Sequence, residues 1–166
     1  MPEQKTLEAA EQDKREGKSP STQAGEFVRE EMHHVREGKH GAANTKQAIA
    51  IGLSKARRAG VKLAPPGKGQ SAETRKKAQQ DLSRAKKGKK TSPKRSRART
   101  AALKREGRSA ASRTALSRQA KSAAKKRGPA ARSAAARKAV KTKGSTVRKA
   151  AARKAARTRA RNRRSR

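Results

Sequence analysis

The sequence predicts an all-α protein wherever it is ordered: a small helical hairpin, with room for a third helix, followed by a long basic tail. That tail reads as intrinsically disordered yet helix-prone. Three observations carry this. Only 30% of the 166 residues are hydrophobic, most of them alanine, and Phe27 is the only aromatic. The few bulky apolar side chains concentrate at residues 22–63, next to helix-capping residues. From Lys89 onward the chain is low-complexity Ala/Lys/Arg/Ser without a bulky stripe. Burying a large apolar side chain yields about 1.5–3 kcal/mol, whereas ordering one residue costs roughly 1.5 kcal/mol. Most of the chain therefore has little with which to fold on itself, and low hydrophobicity with a net charge of +37 is the signature of disorder.

Residues 1–21 read as a flexible polar lead with a short frayed helix around Leu7 to Lys14. In residues 22–63, the helical hairpin, Phe27, Val28, Met32 and Val35 recur at helical spacing, and Gly38 and Gly41 end that helix. Asn44 is a natural N-cap for the second helix, with Gln47 placed to reach back. Ile49, Leu53 and Ala56 follow at i, i+4 and i+7, with Ile51 on a flank. Arg57 and Arg58 suit the last turn, where the helix dipole favours cations. Gly60 is a natural residue just past the helix end, from which Val61 can fold back, and Pro65-Pro66-Gly67 forbids continuation. Residues 64–88 form a Pro-Gly linker and a third helix: Ser71 caps it, Glu73 lies in its first turn, Ala78, Leu82 and Ala85 line one stripe, and Gly88 ends it. That stripe is thin, so docking on the hairpin stays open.

Residues 89–166 are cut by Gly107, Gly128-Pro129 and Gly144 into segments that each begin like a helix. Ser109 and Ser145 can cap, and Pro129 suits a first helical position. Like charges at i, i+4, as at Lys149, Arg153 and Arg157, disfavour helix in the free chain. The expectation is coil that gains helix once phosphates neutralise it.

Charge is segregated along the chain. Residues 1–40 carry a net of −2 and residues 41–166 a net of +39, with Glu73, Asp81 and Glu106 the only acids in the latter. So basic a run without internal counter-charges calls for a polyanion. Candidate nucleic-acid contacts are Lys86, Lys87, Lys89, Lys90, Lys94, Arg95, Arg97 and Arg99, then Lys104, Arg105, Arg113 and Arg118. They continue with Lys121, Lys125, Lys126, Arg127, Arg132, Arg137 and Lys138, and at the end of the chain with Arg148, Lys149, Arg153, Lys154, Arg157, Arg159, Arg161, Arg163 and Arg164. Such side chains bind phosphates and release counterions. Sequence-specific binders of single strands stack bases on aromatic rings, and this run has none, which favours duplex DNA over RNA. No stretch approaches the ~18 apolar residues of a membrane span, so no membrane partner is expected.

Other chemistry finds little footing. There is no cysteine, hence no disulfide or thiolate site. No nucleophile elbow, phosphate loop or paired-carboxylate pattern accompanies the serines, so neither an enzyme nor a cofactor is expected. His33, His34 and His40 lie near Glu30, Glu31 and Glu37, and on a helix Glu30, His34 and Glu37 share a face. Without an evident closing ligand, these read as surface side chains and not as a metal site. The N-terminus lacks the apolar core of a secretory signal and is too acidic for a typical mitochondrial presequence, so an intracellular protein that stays where it is made is expected.

Met32-His33, Glu37-Gly38-Lys39 and Lys46-Gln-Ala-Ile-Ala-Ile-Gly-Leu-Ser54 resemble the signature of a family of small, uncharacterised basic bacterial proteins. The resemblance covers residues 31–60 with a Pro-rich exit at Pro65-Pro66, and it implies a bacterial origin but no activity. Family members often have His-Glu-Phe where this chain has His33-His34-Val35. The tail resembles, in composition, Ala/Lys-rich bacterial histone-like and linker-histone tails, and Ser92-Pro93-Lys94-Arg95 is similar to a linker-histone tetrapeptide, although a plain helix-start proline explains it as well. Together these point to a histone-like, nucleoid-associated protein that binds DNA without sequence preference. Two alternatives remain: an RNA- or ribosome-associated factor, and a protein-interaction module at residues 22–63 with a localising tail.

Overall fold

The computed structural model describes residues 2–67, 70–87 and 92–164. Every regular element among them is helical: α1 (Gln4–Arg15), α2 (Pro20–Glu37), α3 (Thr45–Arg58), α4 (Ala72–Lys86), α5 (Pro93–Lys104), a 3-10 turn (Ser109–Ala111) and α6 (Arg113–Arg164). They fall into two compact units, Met1–Gln119 and Ala120–Arg166.

The first unit is built on the antiparallel pair α2 and α3. Its caps follow from the residues that the sequence offers. Gly38 ends α2 in the left-handed region. The Asn44 side chain accepts from Gln47 N at 3.0 Å, while Gln47 Oε1 accepts from Ala43 N at 2.6 Å. At the far end of α3, Gly60 N donates to Arg57 O and Val61 N to Ala56 O. This is a Schellman closure that folds Val61 into the core. Between the helices, Gly52 lies so close to α2 that a Cβ there would stand 2.7 Å from Val28 Cα. The pair thus packs backbone against backbone, which partly compensates for the scarcity of large side chains.

Two apolar clusters result. Phe27, Ala24, Ala56, Val61 and Ala10 form one, flanked by Leu7, Leu53 and Leu63. Met32, Val35, Ala42, Ala48, Ala110 and Ala111 form the other, flanked by Val28, Ile49 and Leu116. The ordered part is therefore more than the expected hairpin. Residues 4–15 of the expected flexible lead are helix α1, which packs on α2. Its apolar period is too short to stand out in sequence, yet Leu7 and Ala10 suffice to join the Phe27 cluster. Helix α4 docks on α3, burying Ala78 and half-burying Leu82 and Ala85. A polar contact completes that docking: Ser54 Oγ donates to Asp81 Oδ2 at 2.6 Å.

The expected disordered tail is overturned more thoroughly. Residues 93–104 and 113–164 are helical, and residues 103–112, within the first unit, form a clamp on the end of α2 and the turn into α3. Leu103 O accepts from Gly41 N at 2.8 Å and Gly107 O from Ala42 N at 3.0 Å. Ala110 O accepts from Thr45 Oγ1 at 2.7 Å and Ala111 O from Arg36 Nε at 2.9 Å. A Cβ on Gly41 would collide with Glu106 O, so glycine is required at that crossing. Ser112, not Ser109, caps α6, its Oγ accepting from Ala115 N. Pro93 is the first residue of α5, the plain helix-start role.

In the second unit, helix forms without a core. None of its described residues is buried. Alanine, lysine and arginine rank among the best helix formers, and that local preference outweighs repulsion between like charges worth only about 0.2–0.5 kcal/mol per pair. Arg132 Nε and Arg148 Nε donate to Gly128 O and Gly144 O four residues back. These two glycines hold positive φ angles of 73° and 59° and break α6 into three stretches. The breakpoints foreseen at Gly128 and Gly144 are thus real, whereas the coil is not. Gly88, Lys89, Lys90 and Thr91 lie outside the described residues. No helix among those described is long and apolar enough to cross a membrane.

Two glycines on the central helices give opposite expectations. Gly52→Ala forces α2 and α3 apart and should lower unfolding stability in urea by about 1–3 kcal/mol. Gly25, in α2 with open space around it, should gain about 0.5–1 kcal/mol when changed to alanine. A neutral Gly52→Ala would refute the close approach.

Candidate functional site

Two assemblies of charge stand out, one exposed and one buried. The exposed one consists of the cations foreseen from sequence. Lys87, Lys94, Arg95, Arg97, Arg99, Lys104, Arg105, Arg113 and Arg118, all solvent-exposed, belong to the first unit. Lys121, Lys125, Lys126, Arg127, Arg132, Arg137, Lys138, Arg148, Lys149, Arg153, Lys154, Arg157, Arg159, Arg161 and Arg163 are exposed in the second. Lys89 and Lys90, and the side chains of Lys86 and Arg164, lie outside the described residues. Beyond Gln119, cations project around the circumference of α6, and none of the described residues there is buried. Nine Lys/Arg fall between Ser145 and Arg164. At 1.5 Å per residue this is one charge per roughly 3.3 Å of axis. A single DNA strand carries one phosphate charge per roughly 3.4 Å.

The buried assembly was missed. Glu31 lies on the stripe Phe27–Glu31–Val35 at i, i+4 and i+8, and all three side chains are fully buried. An acid on an apolar stripe was the available signal. Lys55 of α3 meets it, with Nζ 2.7 Å from Glu31 Oε2 and 3.2 Å from Glu30 Oε1. His40, in the α2–α3 turn, brings Nε2 to 3.2 Å from Glu31 Oε1 while Nδ1 faces Gly41 O at 3.0 Å. Although Lys55 and His40 lie within ion-pair distance, neither Glu31 oxygen accepts a well-directed hydrogen bond. The distances establish the charge pairing, and the poor direction means that the carboxylate's hydrogen-bonding capacity is not spent.

His34 sits one turn along α2. Its Nε2 meets Glu3 Oε1 at 2.8 Å, and its Nδ1 is 3.9 Å from Glu30 Oε1. Lys39 Nζ adds a second contact to Glu3 Oε1 at 3.0 Å, and Glu3 N donates to Glu30 Oε2 at 3.2 Å. The Glu3 carboxyl is held down at about 2, first by its hydrogen bond to His34 and then by the bond and charge of Lys39. Lys39 is pushed upward by Glu3 and then Glu37. The face foreseen from sequence, Glu30, His34 and Glu37, is replaced by Glu31, His34 and His40, which the turn brings together. The side chains of His34 and His40 are 12% and 13% exposed. They are therefore not the surface histidines expected; only His33 is exposed.

Residues 17–68 match the Family of unknown function (DUF6496). The match spans α2, α3 and the turn that carries Lys39 and His40, and stops short of the clamp and of α6. No curated protein matches the chain, and no solved structure does.

The Glu3 contacts can be read by pH. The carboxyl signal of Glu3 should titrate near 2 in NMR and move toward 4.5 in the His34→Ala/Lys39→Ala variant. Because the folded value lies below the ordinary one, the stabilisation is present above about 4.5 and is lost as pH falls through about 2. Amide exchange in α1 should accelerate across that window. A wild-type midpoint at 4.5 would remove Glu3 from the cluster.

Proposed function

We propose that the protein binds duplex DNA through its phosphates, without sequence preference, and neutralises and compacts it as a nucleoid-associated protein. The observation that carries this reading is the second unit: helix studded with exposed cations on every side, without one acidic residue after Glu106. Such an element has no use for a protein core and no internal counter-charge, and a polyanion supplies what it lacks. The similar linear charge density of the Ser145–Arg164 stretch and of a nucleic-acid strand supports phosphate tracking. Arginine forks onto phosphate oxygens and enters narrow minor grooves, while lysine contributes point charge. The absence of aromatic side chains from both α5 and α6 favours a duplex over an unstacked single strand. Helices α1 and α2 of the first unit are almost neutral and contribute little to such binding.

Fluorescence-anisotropy titrations with a labelled duplex and a structured RNA, each at two salt concentrations, test this. If about ten cations engage, the log–log salt slope for DNA should be near −9. Truncation after Gln119 keeps the clamp and should weaken DNA binding by roughly 100-fold or more at moderate salt while reducing the slope. A preference for RNA above tenfold would replace DNA as the partner. Undiminished binding by the truncated chain would transfer the site to the first unit.

A further inference from the structure

We propose that Glu31, His34 and His40 form a binding site for a single first-row divalent cation, Zn²⁺ by the chemistry of the donors. One donor atom from each lies within 4.8 Å of the others. Glu31 is completely buried with both oxygens lacking hydrogen bonds, so a carboxylate has been taken out of water and aimed at this point. Lys55 answers Oε2 by charge, and Oε1 is left to the groups on the His40 side.

The imidazoles are set as metal ligands usually are. His40 Nδ1 faces Gly41 O, a contact that only a ring N–H can make favourable. In the neutral ring the proton is then on Nδ1, and Nε2 presents its lone pair to Glu31 Oε1 at 3.2 Å. Two lone pairs do not rest against each other at that distance unless a cation or a proton lies between them. Two ligands about 2.0–2.1 Å from one tetrahedral ion stand roughly 3.3 Å apart, so the observed spacing is that of neighbouring corners of a zinc site. His34 repeats the pattern: Nε2–H is directed to the Glu3 carboxylate at 2.8 Å, leaving Nδ1 as the donor nitrogen. A backbone carbonyl behind one histidine and a carboxylate behind the other are the outer partners that orient ligating imidazoles.

Lys55 is compatible with the ion. It lies at Glu31 Oε2 and leaves Oε1 facing His40. Two nitrogens and one carboxylate suit zinc and its neighbours, whereas Mg²⁺ and Ca²⁺ require oxygen. Three protein ligands leave a fourth position for water. His40 also lines a cleft of about 410 Å³ with Glu37, Lys104 and Arg108, which gives solvent a route to its ring. Glu31, His34 and His40 lie on α2 and the turn that follows it, and none of them is among the proposed DNA contacts.

Full-length protein, freed of nucleic acid in high salt and stripped with a chelator, should take up one equivalent of Zn²⁺ in a calorimetric titration. Co²⁺ in its place should give the visible absorption of a four-coordinate centre. His40→Ala and His34→Gln should each weaken Zn²⁺ binding at least 100-fold. Glu3→Ala should weaken it about 10–100-fold through the orientation of His34. His33→Ala, exposed on the same helix, should leave affinity within twofold. Circular dichroism of the stripped variants checks that each remains folded. Absence of saturable one-equivalent uptake by the wild-type chain would overturn the proposal, as would a proton on His40 Nε2 that persists in NMR with excess Zn²⁺. Equal loss in His33→Ala and His40→Ala would overturn it too, by reducing the binding to adventitious surface histidines.

Discussion

A carboxylate wholly removed from water must be answered by charge, by hydrogen bonds or by both, and Glu31 imposes that demand at the α2–α3 interface. An unpaired buried charge costs several kcal/mol even after relaxation, a large share of a small domain's stability. Everything near it serves as an answer. Lys55 fixes the register of α3 against α2, and His40 fixes the path of the turn between them. Glu30, tied to the same ammonium, accepts from the backbone of Glu3 and so draws in the start of α1. A core made largely of alanine determines register poorly by shape alone, because methyl groups slide past one another with little penalty. The ionic cluster supplies the directional constraint that the apolar clusters lack. The close contact of Gly52 with Val28 keeps the two helices near enough for Lys55 to reach.

The second unit obeys a different rule. None of its described residues has a buried side chain, and its order comes from intrinsic propensity and from arginine heads turned back on the carbonyls at Gly128 and Gly144. Nearly all its cations consequently face solvent. The chain thus divides into a region where charge is used internally, as pairs that hold elements together, and one where charge is left for another molecule.

How much of this could be read from sequence varies by element. Asn44, Gly38 and Gly60 announce the ends of α2 and α3 because capping is local chemistry at fixed offsets. Phe27, Met32 and Val35 announce the packed face because bulky residues at helical spacing are rare in this chain. Helix α1 was harder to see, since Leu7 and Ala10 form a stripe only in the presence of Phe27. The clamp was invisible: nothing distinguishes Ala110-Ala111 from the exposed Ala134-Ala135, since the bonds that fix it run through backbone carbonyls. The tail was misjudged by giving weak charge repulsion precedence over helix propensity. The basic surface was readable because it depends on composition. The Glu31–His34–His40 grouping was not, because the turn after Gly38 returns His40 to α2, and sequence spacing does not encode that return.

The clamp has a mechanical consequence. Hydrogen bonds from Gly41, Ala42, Thr45 and Arg36 to residues 103–111 close residues 42 to 107 into a loop that contains α3, α4 and α5. Tension applied to the chain beyond Ser112 therefore enters the fold at the α2–α3 turn, bypassing α4 and α5. The clamp bonds that meet such a pull must break before the loop can pay out. A pull on the chain beyond Ser112 thus bears on the same turn that positions His40.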